Sequence, residues 1–257
     1  MSPIQPKKSL GQHFLVDDNI LEVIGRLAEL EPTDVVFEVG PGLGVLTRYL
    51  SERVAFTHAA EVDRRLWAHL DGIANTEVHW GDALRLDIAS LDPPPTKLVA
   101  NLPYNIATPV VVESLDGLPT VDHWTVMVQR EVADRFFAEP STKAYGAVSV
   151  LVQLATERTG FHRVSRTVFR PRPNVDSALV AFRRRGLPPA DARVKQVVTA
   201  AFAHRRKQLA NSVELAGLAG RAQAVEALAA IGRGPSVRAE ELAPQEFVAL
   251  ADALGRE

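Results

Sequence analysis

Cysteine is absent from all 257 residues. That excludes disulfides, thiolate metal centres and cysteine nucleophiles, and with them the zinc deaminases, whose metal is held by cysteine. Long apolar runs are missing as well. No segment approaches the ~18 apolar residues of a membrane helix, and MSPIQPKKSLGQHFLV has no apolar stretch behind its lysines that could form a signal-peptide core. A cytoplasmic protein is therefore expected. Nor is there a large net charge: the formal value of −2 argues against uniform coating of a nucleic acid.

What the chain does have is unevenly placed. Between Arg158 and Lys207 lie thirteen Lys or Arg residues against two acids, Asp176 and Asp191, so this segment carries +11 and the remainder −13. Two readings stand: a basic face for a polyanion, or a solvated arginine-rich surface. With 46% hydrophobic and 23% charged residues, the chain can bury one sizeable core and a small appended domain.

The apolar pattern predicts strands at 35–39 (VVFEV), 54–62 (VAFTHAAEV), 76–80 (TEVHW), 97–101 (KLVAN), 123–128 (HWTVMV) and 177–185 (SALVAFRRR). Helical patterns at Asn19 to Leu30, Leu43 to Ser51 and Arg130 to Ala138 fill gaps between them, giving the alternation of a doubly wound α/β sheet. GLPPAD (186–191) reads as a linker. Beyond it, 193–213 and 221–232 are Ala/Leu-rich and helical. The expected division is a Rossmann-like domain over 1–186 and a helical domain over 190–257.

EVGPGLGVLT (38–47) places Gly40, Gly42 and Gly44 at the carboxyl end of the first core strand, where a missing Cβ lets a ligand approach the backbone. The G-P-G-x-G spacing is shorter than the G-x-G-x-x-G of a nicotinamide dinucleotide site and suits a ligand without pyrophosphate. Glu61 ends the next strand, 21 positions after Gly40, where a carboxylate can accept from both ribose hydroxyls. Its neighbour Asp63 is read as facing solvent or capping the next helix. Asp82, just past the third strand, offers an acceptor for an adenine amino group, or simply forms a turn with Gly81.

ANLPYNIATP follows the fourth strand. The exocyclic amine of adenine is a poor nucleophile because its lone pair is delocalised, so it needs acceptors more than a base. The Asn101 side-chain oxygen and the Leu102 carbonyl can accept its hydrogens and stabilise the charge that develops. Pro103 stiffens the turn, and Tyr104 offers a face for a flipped base. The bland alternative is a β-turn with a buried tyrosine.

These segments, with GQHFL (11–15), GDAL (81–84), YGAVSVLVQ (145–153), FRPRPNVDSALV (169–180) and AFAHRRKQLANS (201–212), resemble the KsgA-type rRNA adenine N6,N6-dimethyltransferases over nearly the whole chain. The Erm-type methyltransferases are the cousin branch. The resemblance implies a class I methyltransferase sheet and S-adenosylmethionine as cofactor, with contacts at His13, Leu15, Gly40, Gly42, Glu61, Asp82 and Asn101. It places the target adenine against Asn101, Leu102 and Tyr104, with Pro103 joining them as a catalytic residue through the turn it stiffens. The family often has Asn where this chain has His13. The implied substrate is a pair of adjacent adenines in the 3′-terminal hairpin of 16S rRNA, dimethylated during small-subunit assembly; a monomer is expected.

NLPYNIATPV and HRRKQLANS favour this branch over an Erm-type 23S rRNA enzyme; a non-catalytic assembly or transcription factor on the same fold is a further alternative. No metal is expected for methyl transfer, since the sulfonium supplies the driving force. Arg183, Arg184, Arg185, Arg205, Arg206 and Lys207 are the candidate RNA contacts, the last three on the first helix of the C-terminal domain.

Overall fold

A computed structural model describes residues 6–7, 10–185 and 191–255. Among the described residues are nine strands, β1 (Phe14–Leu15), β2 (Val35–Val39), β3 (Phe56–Glu61), β4 (Thr76–Trp80), β5 (Lys97–Asn101), β6 (His123–Gln129), β7 (Thr156–Val164), β8 (Phe169–Arg170) and β9 (Ser177–Arg184). The helices are α1 (Asp18–Ala28), α2 (Val45–Ser51), α3 (Trp67–Leu70), α4 (Ala107–Gly117), α5 (Arg130–Phe136), α6 (Ala147–Ala155), α7 (Ala192–Ala203), α8 (Leu209–Leu215), α9 (Arg221–Ala230) and α10 (Pro244–Gly255). None of the described helices is long and apolar enough to cross a membrane.

Seven strands form one sheet in the order β4-β3-β2-β5-β6-β9-β7. β4 through β6 pair in parallel, and β9 joins β6 antiparallel. The connections run outward in opposite directions from the β2/β5 junction, so the crevice at the carboxyl ends of those two strands is the topological switch point. Every residue of β2 is buried, as a central strand covered on both faces requires. The period of two puts Val99 and Met127 on one face, where they pack with Ile20, Ile24 and Leu50 of α1 and α2. Trp124 lies on the other, its indole N–H donating to Ser114 Oγ of α4 at 2.9 Å and its ring stacked on Phe182.

Local signals account for several boundaries. The Asp17 carboxylate accepts from the Asn19 N–H and starts α1, and Asp191 does the same for α7 through Val194. Pro109 sits in the first turn of α4, where its missing N–H costs nothing.

Two compact units emerge: the chain up to Ala133 with Arg158–Arg184, and Asp134–Glu157 with Arg185–Glu257. The second gathers α6 to α10 around Tyr145, Val197, Leu209, Leu228 and Phe247. The expected boundary at 186–190 lies outside the described residues, and residues 134–157 group with the C-terminal helices instead of the sheet domain. A second correction concerns 193–213, which is two helices, broken at residues 204–208. There Ser212 Oγ accepts the His204 N–H and donates to Ala200 O, turning the chain.

Candidate active site

The loop between β2 and α2 can take its path only if positions 40 and 42 carry no side chain. Gly40 has φ 74°, and a Cβ there would meet Pro103 Cγ at 2.9 Å; at Gly42, φ 59°, it would meet the Phe14 ring at 3.1 Å. The β2 end is thereby held against the segment after β5 and against β1. β1 is fixed in turn by its antiparallel pairing with β8.

Glu61, at the carboxyl end of β3, is buried. Its Oε1 accepts the Asp63 N–H at 2.8 Å and its Oε2 the Gly42 N–H at 3.1 Å. Burial raises its pKa, and those backbone donors oppose the rise. The Asp63, Gly42 and Val62 N–H groups do not use up the four lone pairs of the carboxylate, which leaves acceptor capacity for a ribose hydroxyl. Asp63 does not face solvent: it is buried, takes donors from Gln12 and Arg65, and caps the turn at Arg64–Leu66. The Arg65 guanidinium holds its carboxyl well below the usual range.

Asp82 forms a local turn and sits at the pocket. Its Oδ1 accepts the Leu84 N–H at 3.1 Å, forming the turn, and the residue also lines the pocket with Glu61, Gly40 and Asn101. Glu38, one residue before the glycine loop, is a site residue that sequence reasoning passed over. It lines the same pocket, its Oε2 has no hydrogen-bond partner among the described residues, and burial pushes its pKa up to about 8. The Glu61 charge adds to that rise and the neighbouring Thr47 hydroxyl opposes it.

Asn101 ends β5 and is half-buried. Its Nδ2 donates to the His13 carbonyl at 3.3 Å, which leaves Oδ1 without a donor among the described residues. The Leu102 N–H is spent on Met127 O, and its side chain is in the core. Pro103 O accepts the Ile106 N–H, closing the turn that leads into α4. The Tyr104 hydroxyl is 2.6 Å from Ser177 Oγ, and its ring lies 5.4 Å from that of His13. His13 is fixed through Nδ1 by Pro171 O at 2.8 Å. Leu15 is buried and lines the pocket beside Phe14. The anchoring of Tyr104 by Ser177, 73 residues away, carried no signal in sequence spacing.

An acceptor-lined pocket at a switch point thus meets a rigid Asn-Leu-Pro-Tyr edge. The model of the ribosomal RNA adenine dimethylase family matches residues 4–254. The chain belongs to that family. It is 48% identical to ribosomal RNA small subunit methyltransferase A of Rubrobacter xylanophilus, over 96% of this chain and 94% of that one. Among solved structures, 23S rRNA methyltransferase ErmE aligns with TM-score 0.66 and 30% identity, over 95% of this chain and 100% of that one. A dimethyladenosine transferase from Plasmodium falciparum shares the fold, with TM-score 0.78 at 23% identity over 93% and 96%. As a member of this dimethylase family, the protein is a methyltransferase on a Rossmann-like sheet.

The basic residues fare unequally. Arg184 does not present its charge to a phosphate: its guanidinium donates to the Val121, Leu115 and Leu118 carbonyls at 2.8 to 3.0 Å and lies over the Trp124 ring. Arg183 pairs with Glu29 at 2.5 Å, and Arg185 Nε is buried without a partner among the described residues. Arg205, Arg206 and Lys207 lie in the turn after α7, not on a helix. Arg205 donates to Tyr145 O at 2.9 Å, whereas Arg206 and Lys207 are exposed and have no side-chain hydrogen bond or ion pair among the described residues.

Proposed function

We propose that this enzyme dimethylates N6 of two adjacent adenines in the 3′-terminal hairpin of small-subunit rRNA, using S-adenosylmethionine, in the cytoplasm during subunit assembly. The observation that carries the reading is Asn101: its amide nitrogen is committed to His13 O, so its oxygen remains to accept from an amine at the pocket edge. The pocket suits the cofactor because a side chain at Gly40 or Gly42 would collide with Pro103 or Phe14, and because Glu61 keeps acceptor capacity beside them.

When bound, S-adenosylmethionine supplies an electrophilic methyl group on a sulfonium. Glu61 would hold the ribose hydroxyls, and Asp82, with one oxygen engaged in its own turn, would accept from the adenine amine of the cofactor. On the substrate side, Asn101 Oδ1 and the Leu102 carbonyl accept the two N6 hydrogens, which localises the nitrogen lone pair and stabilises positive charge as it develops. The Tyr104 ring, fixed by Ser177 and flanked by His13, stacks on the flipped base. Pro103, wedged against Gly40, keeps this edge from retreating. Once the methylated nitrogen has given up one proton to solvent, the amine has one hydrogen left, so a second round with a fresh cofactor needs only one of the two acceptors.

Small-subunit methyltransferases of this family reach 40–48% identity with the chain, against 30% for the ErmE structure, which favours the small-subunit target. Labelled S-adenosylmethionine incubated with undermethylated small and large ribosomal particles together, followed by mapping of the labelled bases, tests the reading. Two adjacent dimethyladenines near the 3′ end are expected; label in large-subunit rRNA alone would overturn it.

A further inference from the structure

β4 is the edge strand of the sheet, paired only with β3 among the described strands. Along this pair the parallel register sets His58 opposite Glu77 and Ala60 opposite His79, so the three polar side chains share one face. They converge. His58 Nδ1 lies 3.0 Å from His79 Nε2, and Glu77 Oε2 is 3.7 Å and 3.8 Å from those two atoms. A point equidistant from the three atoms is about 2.1 Å from each, the bond length that zinc takes with imidazole and carboxylate ligands.

We propose that His58, Glu77 and His79 bind one divalent transition-metal ion of the zinc class, with a water in the remaining position, and that this ion clamps β4 to β3. A second observation supports it. His58 is fully buried, and its other nitrogen, Nε2, donates to the Pro93 carbonyl at 2.9 Å. Histidine ligands are typically oriented this way, with the non-ligating N–H held by a carbonyl so that the metal-facing nitrogen is bare. The Phe56 ring, edge-on to His58 at 4.9 Å between centroids, further limits its rotation.

In the metal-free protein the 3.0 Å contact requires His79 Nε2–H to donate to His58 Nδ1. Metal entry asks only that His79 move its proton to Nδ1, which frees both facing nitrogens without a net change in charge on the rings. The side-chain exposure of Glu77, 55%, and of His79, 17%, gives an ion a path from solvent. Two imidazoles and a carboxylate match zinc, cobalt(II) or nickel and not magnesium or calcium. The clamp sits three residues, roughly 10 Å, before Glu61 on β3, and so braces the strand that carries the ribose acceptor without entering the pocket.

The full chain, stripped with a chelator and desalted, is titrated with zinc by calorimetry and with cobalt(II) by visible absorption, alongside Glu77→Gln and His79→Gln. One zinc per chain, a tetrahedral cobalt spectrum and a melting temperature that rises with zinc are expected for the wild type. Each variant should lose at least about tenfold in affinity and most of the thermal shift. Glu77 is exposed, so Glu77→Gln tests the site without disturbing the core; an unchanged metal-free melt verifies that it folds. The proposal is overturned if the wild type binds no zinc, or if both variants bind it within about twofold of wild type, which would assign the ion to other histidines.

Discussion

At the scale of single residues, the site divides into groups whose partners are already satisfied and groups left with spare capacity, and the second kind carry the chemistry. Glu61 spends part of its acceptor capacity on backbone N–H groups. Glu61→Ala should therefore weaken S-adenosylmethionine binding by tenfold or more, measured by calorimetry, and also loosen the glycine loop that Gly42 N–H ties to it. Tyr104 is less simple than a stacking platform, because its hydroxyl holds the buried Ser177. Tyr104→Phe keeps the ring but frees its position, so activity should fall modestly, whereas Tyr104→Ala should lose most of it; equal losses in a methyl-transfer assay would make the hydroxyl, not the ring, the working part. Glu38 gives a pH signature. Its folded pKa of about 8 exceeds the ordinary value of 4.5, so the folded state holds a proton that the unfolded chain releases between those values. Stability from this group is complete below about pH 4.5 and declines as pH rises to about 8. Glu38→Gln keeps the shape without the proton, so the stability gap between variant and wild type in denaturant melts should grow in the variant's favour from pH 5 to pH 8.

At the scale of elements, Arg184 shows how a charged residue can be structural. It ends β9, yet its guanidinium reaches the last turn of α4 and the loop after it, where Leu115, Leu118 and Val121 present carbonyls lacking helical partners. Arg184→Ala removes the side-chain donor from the Leu115 and Val121 carbonyls, leaves Leu118 O with only the Val121 N–H, and uncovers Trp124, so unfolding should become easier by about 2 kcal/mol while the salt dependence of RNA binding stays unchanged. The sequence pattern made Arg184 one of three equivalent arginines, because only the tertiary partners separate it from Arg183. Several parallel strands were legible for the opposite reason: β2, β5 and the edge strand β4 are short runs rich in apolar or β-branched residues whose limits coincide with the pattern at 35–39, 97–101 and 76–80. β7 was invisible. TERTGFHRV is mostly exposed, and its charges and Gly160 hide the alternation that a half-buried strand would show. The break after α7 was hidden too, since Ala203 to Leu209 holds neither Gly nor Pro, and the turn depends on the Ser212 hydroxyl eight residues beyond His204.

At the scale of the whole molecule, the +11 segment of the sequence is no uniform basic face. Arg184 is consumed by carbonyls, Arg183 and Arg166 are neutralised by Glu29 and Asp176, and Arg205 is engaged with Tyr145 O near Glu240. Among the other cations of the segment, Arg206 and Lys207 sit side by side on an exposed turn. If these two meet phosphates of the rRNA, each contact releases condensed counterions, and the log-log salt slope of binding steepens by about 0.7 to 0.9 per phosphate. Arg206→Ala with Lys207→Ala should then lower the magnitude of that slope by about 1.5 units, weaken RNA binding most at low salt, and leave cofactor affinity and melting temperature unchanged. Arg205→Ala provides the contrast: it uncaps Tyr145 O and should cost stability more than it changes the slope. Binding measured at several salt concentrations, with a melt on each variant, separates the two effects. A double variant whose slope matches wild type would move the phosphate contacts elsewhere, to cations such as Arg158, Arg163 and Arg170 that the turn does not include.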